Sequence, residues 1–288
     1  MTIIERAIQA ARIKAAGRPA EALKPDPQRV TPTPTPTPTP RPAPAAATIP
    51  FTRFGTGGSL VTEAADRAIY EQFRRLKRPL LQCAFGPLAE AGAQIVMVTS
   101  PLQGAGKTFV ASNLAYVLAM EKGRSVLLVD TDNANPSLSR QLRLLDRPGL
   151  YDLIHNSGMT LADAVCQTDI PGLFVLPAGP PASDSLERLN SDRCREVLAQ
   201  GLANHQGGIV ILDAPPLLIS NEAPSVAALA GQILLVVEAG VTSKSNVTKS
   251  LELLDEQKPI GLVLNKAVPA FWELGSSYNV YAAPRGPE

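Results

Sequence analysis

Residues 100–115 read SPLQGAGKTFVASNLA and place Gly104, Ala105 and Gly106 immediately before Lys107, Thr108 and Phe109. Small residues let a backbone turn its N–H groups inward onto phosphate oxygens, and a lysine closing the turn supplies a point charge. Thr108 offers a hydroxyl to magnesium, and a helix opening here adds the partial positive charge of its N-terminus. The stretch therefore predicts a nucleotide-phosphate loop contacted by residues 104–109. A generic loop of this type carries glycine where this chain has Pro101.

Three acids stand at or just beyond the ends of apolar runs: Asp130 and Asp132 in SVLLVDTDN, and Asp213 in GIVILDAPP. A parallel sheet gathers ligands outside the carboxyl ends of its strands, which would bring all three to the loop. Carboxylates beside a cationic phosphate loop suit magnesium, a hard cation that takes oxygen ligands and bridges nucleotide phosphates. One strand-end aspartate is commonly a turn former or a helix cap. Three together with a lysine loop predict a site.

The elements that must position these residues can be read from the surrounding pattern. Runs at 94–99, 125–130, 173–178, 208–213, 232–238 and 260–265 are apolar on successive residues and separated by helical stretches. They predict an α/β fold, a mostly parallel sheet covered by helices on both faces. Ala64, Ala68, Ile69, Phe73 and Leu76 recur at helical spacing and predict a helix ended by Pro79. The folded domain is expected over residues 59–270. Residues 1–58 form its leader: an amphipathic pattern over 2–16, then five TP dipeptides in 31–40, with eleven of the 27 prolines inside residues 1–50. Such a spacer favours polyproline II and has little to add to a core, so removing residues 1–55 is expected to leave the fold intact.

Lys plus Arg total 27 and Asp plus Glu 26. This balance gives no overall field for nucleic acid or an anionic membrane. Cys83, Cys166 and Cys194, with only His155 and His205, lack the spacing of a zinc site or a disulfide framework. The longest apolar runs fall short of the roughly 18–20 residues that span a bilayer. The N-terminus lacks the charged start, apolar stretch and cleavage site of a secretory signal, which predicts a cytoplasmic protein.

The segments KRPLLQCAFG, VMVTSPLQGAGKT, VLLVDTDNANPSL, GLYDLI, LFVLPAGPP and DAPP, with the opening TIIERAIQAARIKAA and the late LVLNKA, cover most of the chain. Together they resemble the bacterial tyrosine kinases of exopolysaccharide export, most closely the autokinases of exosortase-linked (PEP-CTERM) exopolysaccharide loci. The apolar run ending D-x-D is similar to that family's second Walker A-like motif, and apolar-D-x-P-P to its Walker B form. Related partition and division-site ATPases carry a lysine where this chain has Leu102.

The resemblance implies a P-loop NTPase fold, ATP and Mg2+ as cofactors, and phosphoryl transfer to tyrosine. It also implies work at the inner face of the plasma membrane beside a transmembrane polysaccharide co-polymerase, the chain-length determinant. Lys107 and Thr108 would hold phosphates and magnesium, and Asp132 and Asp213 would support the metal. Asp130, with Asp132 as its alternative, would take the proton of a tyrosine whose pKa is ~10. The family's ring-forming E-x-x-R-x-x-R has its counterpart in Glu71, Arg74 and Lys77, which implies a homo-oligomer. Its tyrosine-rich tail is reduced to Tyr278 and Tyr281, the implied autophosphorylation sites. An extended chain of ~3.3–3.6 Å per residue from Asn265 to Tyr278 spans up to roughly 45–50 Å, enough to reach a neighbouring subunit. The sequence departs from the family's P-G-E-G-K loop at Gln103 and Ala105, and from its usual arginine at Ala134. Two other functions share the same motifs: a non-kinase ATPase switch of the partition type, and an ATP-binding assembly scaffold.

Overall fold

In the computed structural model, residues 48–53, 60–87, 89–203 and 207–267 are described, all within the unit Pro44–Glu288. The amphipathic pattern at 2–16, the TP-rich spacer and the tail with Tyr278 and Tyr281 lie outside these residues. The six apolar runs form strands β1 (Ile95–Thr99), β2 (Ser125–Asp130), β4 (Leu173–Leu176), β5 (Gly208–Asp213), β6 (Gln232–Glu238) and β7 (Ile260–Asn265). A two-residue strand, β3 (Cys166–Gln167), escapes the sequence pattern. It pairs antiparallel with β4, and every other pairing is parallel. The strand order is β3-β4-β2-β5-β1-β6-β7.

Successive apolar residues serve two cores because strand side chains alternate between faces. Val96, Val98, Val126, Leu128, Ile209 and Ile211 enter one core, beneath α1 (Arg67–Phe85) and α2 (Lys107–Ala119). Met97, Leu127, Val129, Val210 and Leu212 enter the other. That second core is closed by α4 (Leu150–His155), α7 (Asp192–Ala203) and α8 (Ala223–Leu229). The short helices α3 (Ser137–Gln141), α5 (Leu161–Ala164) and α6 (Ser185–Leu189) and the helix α9 (Lys244–Glu252) complete the connections. Among the described residues no helix is long and apolar enough to cross a membrane.

Two expectations about α1 are corrected. The helix does not stop at Pro79 but runs through it to Phe85. Its second half carries Leu80 and Ala84, both buried, and Gln232 Nε2 donates to the Leu80 carbonyl at 3.1 Å. That packing offsets the backbone bond which an interior proline removes. The charged triad also divides. Glu71 and Arg74 pair with each other at 2.7 Å on the exposed side. Lys77 is buried instead, paired with Glu121, and it donates to the Val117 carbonyl at 3.3 Å.

The proline-rich composition also concealed where the domain begins. Ile49 N donates to Gln167 O at 2.8 Å and Ile49 O accepts from Asp169 N at 2.9 Å, so residues 48–53 lie along the β3 edge. Thr52 donates its backbone and side chain to the Asp169 carboxylate. Phe51 is wholly buried and Ile49 nearly so. These two side chains belong to the core, and the boundary lies upstream of Ile49 rather than at 58. Removing residues 1–47 should leave the melting temperature unchanged. Removing 1–55 strips both side chains, a loss of roughly 3–5 kcal/mol, and should lower it by roughly 6–20 °C. Scanning calorimetry of the two truncations side by side is the check, and equal melting temperatures would refute the strap.

Candidate functional site

The loop between β1 and α2 turns through two left-handed residues, Gly104 at φ +87° and Gly106 at φ +92°. Glycine enters this region without the steric penalty of a Cβ. Gly106 is the N-cap of α2 and offers no side chain to its first turn. The backbone N–H groups of that turn have no partner within the helix and are left for an anion. Lys107 and Thr108 open the helix. Phe109 follows them, and its ring packs edge-on against Phe73 of α1 with the centroids 5.9 Å apart.

Asp130 and Asp213 end neighbouring strands at the same level of the sheet. Both are buried. Thr108 Oγ1 donates to Asp213 Oδ2 at 2.7 Å, while Asp213 Oδ1 is buried without a hydrogen-bond partner. Burial, followed by the neighbouring Asp130, pushes the Asp213 carboxyl up to about 8, against the pull of Thr108 and Lys107. Asp130 is raised to about 6 by burial despite three donors. Its Oδ2 accepts Ser139 N at 2.8 Å and Ser139 Oγ at 2.7 Å, and its Oδ1 accepts Asp132 N at 3.2 Å.

Asp132 differs from both. Its Oδ1 accepts Asn135 N at 2.9 Å. Burial raises its carboxyl above the usual range, and Asn135 N, Lys107 and Arg140 pull it back. The charge of Lys107 thus acts on Asp132 as it does on Asp213, whereas Asp130 is occupied by Ser139. The second cation near Asp132 comes from Arg140, which donates to Asn135 Oδ1 at 2.9 Å, in a chain that has alanine at 134.

The donor set accommodates magnesium. A hydroxyl that donates to Asp213 keeps lone pairs for a cation, and the buried Asp213 Oδ1 is an unsatisfied oxygen beside it. Among the described residues no group of three or more His, Cys, Asp or Glu side chains forms a metal cage.

Several residues that hold the site were not singled out in the sequence. Ser139 bridges Asp130 to the loop after β4, accepting Ala178 N at 3.0 Å. Tyr151, fully buried, donates its hydroxyl to Thr131 O at 2.9 Å between the two acids. Asn133 exchanges two bonds with the Ala182 backbone, at 2.9 and 3.0 Å. At the other flank, Asn265 and Lys266 reach the carbonyls of Ala105 and Gly104. The only signal for Tyr151 and Ala178 was their place in the GLYDLI and LFVLPAGPP segments.

A family model described as an AAA domain matches residues 93–260. The chain is similar to the putative tyrosine-protein kinase CapB of Staphylococcus aureus, 31% identical over 223 residues, covering 77% of this chain and 93% of that protein. It is 29% identical to the putative tyrosine-protein kinase EpsB of Ralstonia nicotianae over 226 residues, 77% of this chain but only 29% of that protein's length. Among solved structures it is similar to the kinase domain of Escherichia coli tyrosine kinase ETK, with a TM-score of 0.61 and 27% identity, covering 77% of this chain and 83% of that one.

The raised carboxyls fix a pH dependence. Between ~4, the ordinary carboxylate value, and about 8 the folded protein keeps a proton on Asp213 that the unfolded chain releases. The unfolded state binds fewer protons there, so stability falls as pH rises through this window. Nucleotide-free protein should therefore lose resistance to urea from pH 5 to pH 8. Asp213→Asn, which cannot ionise, should flatten the slope. Parallel slopes for parent and variant in urea titrations at four pH values would refute the assignment.

Proposed function

The chain belongs to the bacterial tyrosine kinases, and from that premise we propose that it transfers the terminal phosphoryl group of ATP to tyrosine in the control of exopolysaccharide polymerisation and export. The observation that carries this reading is the hydrogen bond from Thr108 to Asp213 in the first turn of α2, which Lys107 opens, with Asp132 and Asp213 both in the field of that lysine. Phosphoryl transfer requires positioning and charge stabilisation more than covalent chemistry, and these residues supply both.

The N–H groups of the loop and of the first turn of α2 hold the phosphate chain, and Lys107 places its charge on the terminal oxygens. Thr108 and Asp213, with Asp132 beside them, would hold magnesium, which neutralises charge on the β- and γ-phosphates when bound. The acceptor phenol attacks the γ-phosphorus, the bond to the β-phosphate oxygen breaks, and ADP leaves. The phenolic proton goes to a carboxylate. Asp130 has a proton affinity that suits a base, but both its oxygens are committed to Ser139 and the Asp132 backbone. Asp132 takes the proton, and Asp130 is a positioning residue that holds the Asp132 turn.

The setting follows the same reading: the inner face of the plasma membrane, beside a transmembrane polysaccharide co-polymerase whose cytoplasmic part activates the site. Glu71 and Arg74, exposed on α1, are the part of the triad available to a homo-oligomer. Lys77 serves the domain's own packing.

Purified protein given ATP, magnesium and the partner's cytoplasmic segment should accumulate phosphotyrosine, and Lys107→Met should lower the rate at least ~100-fold with an unchanged melting temperature. Phosphate release without phosphotyrosine would replace the kinase by an ATPase switch. Tyr278→Phe with Tyr281→Phe should remove most of the phosphotyrosine, measured by blotting and peptide mapping. An undiminished signal would move the acceptor to Tyr70 or Tyr116, which are half-buried. Tyr151 is excluded by its burial and its bond to Thr131.

A further inference from the structure

β7 ends at the phosphate loop, and nothing in the chemistry above uses the two residues found there. Asn265 Nδ2 donates to the Ala105 carbonyl at 2.8 Å. Lys266 follows with φ +58°, a left-handed backbone uncommon for a residue with a Cβ. That turn accompanies a lysine whose Nζ donates to the Gly104 carbonyl at 2.8 Å and pairs with Glu238 Oε1 at 3.0 Å. The fit is close, since a Cβ on Gly106 would lie 2.2 Å from Asn265 Nδ2. Two consecutive loop carbonyls are thus held by the end of one strand.

In a planar trans peptide the C=O and the following N–H point in opposite directions. Fixing the carbonyls of Gly104 and Ala105 towards β7 turns the N–H groups of Ala105 and Gly106 away from it. Inward N–H groups are what a phosphate loop presents to its ligand. We infer that Asn265 and Lys266 are positioning residues that brace the phosphate loop from outside, pre-setting the N–H groups of Ala105 and Gly106 for phosphate oxygens. The inference rests on the nucleotide reading and extends it to a strand end remote in sequence. It also explains how a loop with Gln103 and Ala105 in place of proline and glutamate keeps its shape. The stiffness comes from β7 rather than from the loop's own residues.

The test compares two ligands on the full-length protein by calorimetry: MgATP, and magnesium tripolyphosphate, which has the phosphates but no base or sugar. Asn265→Ala should weaken both by the same factor, about 5–10-fold, the effect of one lost hydrogen bond, while the melting temperature without ligand stays unchanged. Weakening of MgATP alone would place Asn265 on the base and overturn the brace. Unchanged affinity for both ligands would overturn it as well. If Asn265→Ala lowers the unliganded melting temperature, Lys266 decides: Lys266→Met should weaken both ligands and Lys266→Arg, which keeps a donor, should restore them. Equal affinity of the parent and both Lys266 variants would overturn the brace. A parent protein that binds neither ligand would bring down the nucleotide reading itself, an outcome distinct from the failure of the brace alone.

Discussion

Two carboxylates at the same level of adjacent strands dominate the carboxyl end of this sheet. Asp130 and Asp213 are ladder partners, and both are buried. Neighbouring strands lie about 4.8 Å apart, so each acid stands in the other's field while shut off from water. Both effects disfavour the ionised form. A sheet with such a pair at its end needs donors and cations close by, and the surrounding elements supply them. Lys107 and Thr108 answer Asp213. Ser139, from α3, answers Asp130 with its backbone and its hydroxyl.

The response to Asp130 extends well beyond Ser139. The same hydroxyl that donates to Asp130 accepts from Ala178, which ties the end of β2 to the loop after β4. That loop is in turn bonded to the start of α4, through Leu150 N to Pro177 O at 2.8 Å and Tyr151 N to Ala178 O at 3.0 Å. There is no room there for a side chain on Gly149, whose Cβ would stand 2.2 Å from Gly179 N. Tyr151 closes the circuit by returning its hydroxyl to Thr131. The turn that carries Asp132 is thus fixed by segments tens of residues away. A buried network whose members are all satisfied is stiff, and Asp132, which must meet a ligand, gains a fixed position from it.

The elements that could be read in the sequence are those whose signal is local. Apolar runs for doubly covered strands, a glycine–lysine turn after the first of them and acids at strand ends are each written within a few residues. The committed state of Asp130 was not legible, because Ser139 is distant enough that no spacing rule joins them. Nor was the inward turn of Lys77, since its partner Glu121 lies more than forty residues along the chain, just beyond the end of α2. Ile49 and Phe51 were hidden by composition, two apolar residues at the close of a proline-rich stretch. Pro79 misled for the opposite reason. The local rule that proline ends a helix was overridden by the burial of Leu80 and Ala84 beyond it.

The placement of Lys77 completes the electrostatics of α2. This helix presents its free N–H groups to the phosphate loop, the positive end of its dipole, where an anionic ligand is favoured. Its last carbonyls carry the opposite partial charge and lie far from that ligand. One of them, the Val117 carbonyl, accepts from Lys77, and Glu121 just beyond the helix holds the same ammonium in place. A cation at this end is favourable by the same dipole that binds phosphate at the other. Lys77 thus lies within the contact between α1 and α2, with Phe73 against Phe109 further along the same contact. One helix pair thus joins the packing of the first core to the anion site, and the outer face of α1 keeps Glu71 and Arg74 exposed.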